Sequence, residues 1–296
     1  MQINNTVDRN MEKKIILITG ASDGIGKETA KVLAKQGHRL IIHGRNKQKT
    51  VEAFEEIKRE TGNQNIDMYL ADFLSLAEVK RFADTIKQKY DHLDVLINNA
   101  GAQFTDQRET TAEGHEKTMV INVFSPFLLT TLLLELLKKS KSARVVTVSS
   151  ASHSMGKPDL NDIEFRNGYS MARAYGVSKL YIIWVMQHFV REMKKADINN
   201  ITFNSVHPGS TITSLARESS KSWKFRILMF LWRPMMNSME KAISASIKTA
   251  TSAELEGLTG KYFGPKGEEK PSQKYHSAEN EHRVWQYCRE ITAKYL

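Results

Sequence analysis

The sequence predicts an α/β protein, a single doubly wound parallel sheet with helices on both faces. Three observations carry this. Short β-branched runs alternate with longer segments whose apolar residues recur every three or four positions. A glycine-rich turn, Thr19-Gly20-Ala21-Ser22-Asp23-Gly24-Ile25-Gly26, joins the first such run to the first helical segment. The chain has 296 residues and is 41% hydrophobic, enough for one large domain with a buried core.

Taken in order, strands are expected at 15–19, 39–43, 67–70, 95–97, 145–148 and 202–206, with helices such as 27–36, 76–89 and 126–138 between them. Helix-strand alternation of this kind covers a parallel sheet on both sides. We read residues 1–11 as an N-terminal extension and 12–296 as one domain. Two segments break the rhythm: an insertion at about 214–239, ahead of a helix at 240–255, and a tail at about 265–296 that ends in a helix from about Glu279.

Cys288 is the single cysteine, which excludes an internal disulfide and fits a reducing compartment, so the expected location is the cytoplasm. No stretch is read as approaching the ~18 uncharged apolar residues of a membrane span, and residues 1–11 carry acid and amide groups where a signal peptide needs an apolar run. The net charge of +10 is dispersed among acids, with no basic run of five. It reads as a solvated surface that favours an anionic cofactor rather than as a nucleic-acid site. His38, His43, His153 and His207 are scattered without metal-ligand spacing, so no metal site is expected.

Glycines after a first strand let the backbone approach a pyrophosphate, while the following helix start supplies amide donors and a positive partial charge. The spacing here, Gly-x-x-x-Gly-x-Gly, differs from the commoner Gly-x-Gly-x-x-Gly, but a strand precedes it and a helix follows. An NAD-preferring site usually carries an acid at the end of the second strand. Here that position reads His43-Gly44-Arg45-Asn46, with no carboxylate. Arg45 can pair with a 2'-phosphate, and a charge-assisted hydrogen bond of ~1.5–3 kcal/mol would give NADP(H) about one to two decades of preference. Asp23 places an acid near that phosphate unless its side chain turns away.

Tyr175 and Lys179, in Tyr175-Gly176-Val177-Ser178-Lys179, leave the same face of a helix and can meet one ligand. A phenol of unperturbed pKa ~10 becomes a better proton donor beside an ammonium. Alone, that spacing is common. Together with Asn98-Asn99-Ala100-Gly101 after the fourth strand and Ser150 at the end of Val145-Val146-Thr147-Val148-Ser149-Ser150, it resembles the short-chain dehydrogenase/reductase family, from about Lys14 to Gly264. Within it the chain is most similar to the retinol dehydrogenase-like branch, through TGASDGIGKET from Thr19, ARVVTVSS from Ala143, VHPG from Val206, GKYF from Gly260 and the 25-residue interval between Ser150 and Tyr175.

The resemblance implies a Rossmann fold and a catalytic set of Asn122, Ser150, Tyr175 and Lys179. Tyr175 would be the general acid and base, Lys179 would lower its pKa and hold the nicotinamide ribose, Ser150 would bond the substrate oxygen, and Asn122 would hold Lys179 through a water. It also implies cofactor contacts from the turn residues Gly20, Ser22, Asp23, Gly24, Ile25 and Gly26. Further contacts would come from Arg45 with Asn46, Asp72 with Phe73 at the adenine, Asn99, Ala100 and Gly101 at the ribose, and Pro208, Gly209, Thr211 and Thr213 at the nicotinamide. Of Ser149 and Ser150, the family pattern selects the second.

The segment from Trp223 to Met236 is apolar, aromatic and Met-rich, studded with Lys224, Arg226 and Arg233. It suits a lid over a lipophilic carbonyl or alcohol, or a helix packed on the core or a second subunit; contact with a membrane surface is the weaker alternative. Trp184, Met186 and Phe189, beyond Lys179 on its helix, read as core or subunit-interface packing. The family expectation for assembly is a homodimer or homotetramer. The leading functional expectation is an NADP-dependent oxidoreductase; the rival is a nucleotide-binding redox sensor or assembly partner that keeps the fold without the chemistry.

Overall fold

Buried β-branched runs form the middle of one eight-stranded sheet in the computed structural model, which describes residues 12–209 and 238–296. The strands are β1 Ile15–Ile18, β2 Arg39–Gly44, β3 Ile66–Leu70, β4 Val95–Asn98, β5 Ala143–Val148, β6 Ile201–Val206, β7 Tyr262–Gly264 and β8 Gly267–Glu269. Their spatial order is β3-β2-β1-β4-β5-β6-β7-β8. All neighbours pair in parallel except β7 and β8. Chain order therefore reverses between β1 and β4, where an open α/β sheet leaves a crevice at the carboxyl ends of its strands.

The helices are α1 Gly24–Lys35, α2 Lys47–Thr61, α3 Leu76–Lys89, α4 Lys117–Met119, α5 Ser125–Lys138, α6 Met171–Lys195, α7 Met239–Thr251 and α8 Ala278–Thr292. A π turn, Val120–Phe124, joins α4 to α5. Alternate strand residues face opposite layers. Leu17, Ile41, Leu96, Val145 and Phe203 pack with α3, α5, α6 and α8, whereas Ile16, Ile18, Leu40, Ile42 and Val206 pack with α1, α2 and α7. Each fully buried Leu, Ile or Phe side chain contributes about 1.5–3 kcal/mol. Side-chain caps start most of the helices: Asp23, Asn46, Ser75, Ser170, Ser238 and Ser277 each accept from a main-chain amide of the first turn.

Two features depart from the sequence reading. The helical segment Lys117–Lys138 is long and apolar enough to cross a bilayer, with 78% of its apolar window buried inside the protein, so it serves as a core helix beneath the sheet. The tail also supplies β7 and β8, three-residue strands too short to show a period. Most of the insertion expected at 214–239 lies outside the described residues.

Candidate active site

Each of the six leading strands ends at one cleft of about 500 Å³. The turn after β1 contributes Gly20, Ser22, Asp23, Ile25 and Gly26; β2 and β3 are followed by Arg45 and by Asp72 and Phe73. The segments after β4, β5 and β6 bring Asn99, Ala100 and Gly101, then Ser150, then Pro208 and Gly209. Tyr175 and Lys179 enter from α6. Thr211 and Thr213 lie outside the described residues.

At the reacting end, Ser149 and Ser150 divide their duties. The Ser149 hydroxyl donates to the main-chain carbonyl of Lys179 at 2.7 Å and is buried. That of Ser150 lies among Ser152 N and Ser152 Oγ, both at 3.2 Å, at the start of the short turn Ala151–Met155. Lys179 is buried, its Nζ donates to the carbonyl of Val148 at 3.0 Å, and it sits 5.8 Å from the centre of the Tyr175 ring. Burial lowers its pKa to about 8. The Tyr175 phenol moves upward, because burial disfavours the phenolate more than its hydrogen bond with Ser150 favours it. Burial penalises both charges: it outweighs any lowering of the Tyr175 pKa by its neighbours, and it lowers that of Lys179 as well.

Asn122 sits in the π turn, where Ser125 N reaches back five residues to Val120 O. Its side chain serves neighbours other than Lys179. Oδ1 accepts from Ala102 N at 3.1 Å, and Nδ2 donates to Ala102 O at 2.9 Å and to Ser178 Oγ at 3.0 Å. Ser178 in turn donates to the carbonyl of Tyr175 at 2.8 Å. Asn122 thus ties the loop after β4 to the helix that carries the Tyr-Lys pair. Gly101 keeps the gap: a Cβ there would lie 2.8 Å from Asn122 Oδ1 and 3.2 Å from Lys179 Nζ.

At the other end, Gly20 has φ +67°, and a Cβ on Gly26 would lie 2.3 Å from the carbonyl oxygen of Gly20. Only glycine allows so close a turn over the start of α1. Asp23 caps that helix, with Oδ1 accepting from Gly24 N at 2.7 Å, which answers where its carboxylate turns. Arg45 is exposed at the rim, 4.0 Å from Asp72, and no acid occupies the end of β2. Glycine turn, helix start and rim arginine fit an anionic dinucleotide bearing a 2'-phosphate. Two expected contacts are not among the lining residues. Asn46 instead caps α2 through Lys49 N at 3.0 Å, and Gly24 is the first residue of α1.

Spacing along the sequence gives His43 no role. It is buried, stacks on Phe73 with ring centres 3.9 Å apart, accepts from Gly20 N at 3.3 Å through Nδ1 and donates from Nε2 to Ala71 O at 3.0 Å. One neutral imidazole thus spans the glycine turn and the wall after β3, and burial lowers its pKa to about 4. A lone histidine ending an apolar strand just before Gly44-Arg45 was the available signal. Glu164 was also missed. Inside the long interval between Ser150 and Tyr175, its buried carboxylate accepts from Glu116 N and Tyr287 Oη, each at 2.6 Å, and pins that loop to α8. Trp184, Met186 and Phe189 are buried within the chain, with Trp285 of α8 against Phe189 at 4.7 Å, so here they form core.

A dinucleotide lying across the crossover between β1 and β4 would extend from Arg45 to the serine, tyrosine and lysine, the layout of a Rossmann-type oxidoreductase. The chain belongs to the short chain dehydrogenase family, whose model matches residues 14–224. It is 34% identical to retinol dehydrogenase 12 of Mus musculus over 97% of this chain and 88% of that one. It is 33% identical to polyprenol dehydrogenase of Homo sapiens, over 94% and 85% respectively. Among solved structures, the RhlG/NADP active-site complex of Pseudomonas aeruginosa matches with a TM-score of 0.68 and 25% identity, over 84% of this chain and 93% of that one.

Proposed function

We propose that this oxidoreductase interconverts a lipophilic ketone or aldehyde and its alcohol, with Tyr175 as general acid in reduction and general base in oxidation. The cofactor is NADP(H). One observation carries the reading: the Ser150 hydroxyl, the Tyr175 phenol and the Lys179 amine line the same cleft as the glycine turn and Arg45. When bound, NADPH supplies the hydride. Ser150 and Tyr175 donate hydrogen bonds to the substrate oxygen, and Tyr175 gives up its proton as that oxygen becomes an alcohol. Lys179 holds the ribose and offsets the phenolate. Arg45 binds the 2'-phosphate.

The lipophilic substrate is supported by Phe104 and Ile121 in the cleft wall, by Met155, which is 74% exposed five residues beyond Ser150, and by the apolar run from Trp223 to Met236. Two relatives are named for retinol and polyprenol, both apolar alcohols. The test is cofactor consumption with NADPH and NADH side by side against a panel of short and long aldehydes and ketones. Turnover rising with chain length, and faster with NADPH, is expected. Cofactor binding without turnover of any carbonyl would instead favour a redox sensor.

A further inference from the structure

Behind Ser150 lies a group of polar side chains that the reaction does not use. Tyr262 of β7, His153 of the turn after Ser150, and His207 just beyond β6 are buried together, and the Tyr262 ring lies 5.0 Å from His153 and 5.2 Å from His207. Though scattered in sequence, these two histidines meet on one tyrosine. Apolar side chains would back the sheet as well, and buried polar groups cost stability unless partnered. Here the partners include main-chain atoms of the two loops that border the reacting end, together with Glu269, Ser272 and one another.

Three donors converge on the carbonyl oxygen of Ser150: His153 Nδ1 at 2.8 Å, the His153 main-chain N–H at 3.1 Å and the Tyr262 hydroxyl at 3.4 Å, the last also 3.2 Å from His153 Nδ1. His153 can serve as that donor because its Nε2 accepts from Ser272 N at 3.0 Å, which leaves the proton on Nδ1. His207 repeats the device one strand away. Its Nδ1 accepts from Gly209 N at 3.1 Å, and its Nε2 is 3.0 Å from Glu269 of β8. The carboxylate keeps the proton on Nε2, so Nδ1 stays an acceptor. Gly264, at the end of β7, clears room for this pair: a Cβ there would lie 2.0 Å from Glu269 Oε1 and 2.4 Å from His207 Nε2.

We infer that the β7–β8 hairpin is a backing plate for the reaction, with Tyr262 and His153 as positioning residues for Ser150 and the His207–Glu269 pair as positioning residues for Gly209. The hydroxyl of Ser150 belongs to the residue whose carbonyl is clamped, so freeing the carbonyl misplaces the hydroxyl. A misplacement of about 1 Å can cost ~10²-fold in rate. Loss of the Tyr262 hydroxyl, the longest of the three, should cost less, about tenfold.

The inference rests on the catalytic reading of Ser150, and a double-mutant cycle separates the two. In the full-length protein, kcat for nonanal reduction by NADPH is measured for Tyr262→Phe, Ser150→Ala and the double variant, with NADPH Kd and thermal unfolding in parallel. Tyr262→Phe keeps the ring contacts with both histidines. It should lower kcat about tenfold and leave NADPH Kd within about twofold, but cost less than about twofold in the Ser150→Ala background, because Tyr262 acts through Ser150. Equal costs in both backgrounds, or no cost in either, would overturn the positioning role. No loss on Ser150→Ala alone would remove the catalytic reading and this inference with it. On the second arm, Glu269→Gln should retain activity by still accepting from His207 Nε2, whereas Glu269→Ala should raise the NADPH KM several-fold; equal behaviour of the two would count against the Gly209 arm.

Discussion

The two ends of the cleft are built differently. At the turn after β1 the ligand surface is largely main chain, shaped by glycines and the start of α1, with one side chain, His43, bracing it from behind. At the reacting end the surface is side chain: Ser150, Tyr175 and Lys179, with Lys179 bonded to Val148 and the Ser150 carbonyl to Tyr262, elements distant in sequence. Binding a phosphate needs many amides in one curve. Moving a proton needs one group in one place. The first is met locally, whereas the second requires a tertiary scaffold.

The largest expected effect breaks the reacting end. Tyr175→Phe should cut carbonyl turnover by ~10²–10⁴ while sparing NADPH affinity, as loss of a general acid does; steady-state rates and a fluorescence titration of NADPH check both. Unchanged turnover would move the proton donor elsewhere.

Next comes the electrostatic strain of that end. Folded, Lys179 releases its proton near pH 8; unfolded, it holds it to about 10.5. Between those values the unfolded chain binds more protons, so stability of the cofactor-free protein should rise with pH across that window. Lys179→Met should flatten the rise and relieve up to about 3 kcal/mol of charge burial at pH 7, offset by about 1–3 kcal/mol for the Val148 carbonyl it leaves unpaired. Urea unfolding at several pH values measures it, and a slope that survives the substitution would assign it to another group.

At the opposite end, Arg45→Ala should weaken NADPH binding by about one to two decades and leave NADH nearly untouched. Equal losses for both cofactors would remove the phosphate contact. The smallest effect sharpens the comparison by testing the brace behind the glycine turn. His43→Phe preserves an aromatic stack on Phe73 but strands Gly20 N and Ala71 O, at a cost of about 1–2 kcal/mol. His43 is charged more readily unfolded than folded, so its contribution is complete above pH 6.5 and lost as pH falls toward 4. The variant should lack that part of the acid dependence, as acid-unfolding curves would show.

Legibility in the sequence follows the same division. Helix α3 is found at the residues its periodicity predicts, 76–89, because an amphipathic stripe and a Ser75 cap are local properties. The glycine turn reads equally well. By contrast, β7 and β8 are three residues each and carry no period, and Tyr262 acquires meaning only where it meets His153 and His207. Asn122 is the instructive middle case: its position was legible, but its hydrogen bonds go to Ala102 and Ser178, residues whose proximity no spacing encodes. The apolar segment Lys117–Lys138 makes the same point for composition, since burial under the sheet decides what an apolar helix is for.

By itself, the sequence determined the doubly wound sheet, the glycine turn at its crossover, the lack of an acid after β2 and the Tyr175–Lys179 pair on one helical face. These depend on residue type and short-range spacing, which the chain states directly. Only the tertiary structure decided that Ser149 is spent on the carbonyl of Lys179 while Ser150 faces the cleft, that burial draws the Lys179 pKa down to about 8, and that a hairpin from the tail clamps the serine loop. Those outcomes depend on which distant groups share one small, dry volume, and that is set by packing rather than by spacing.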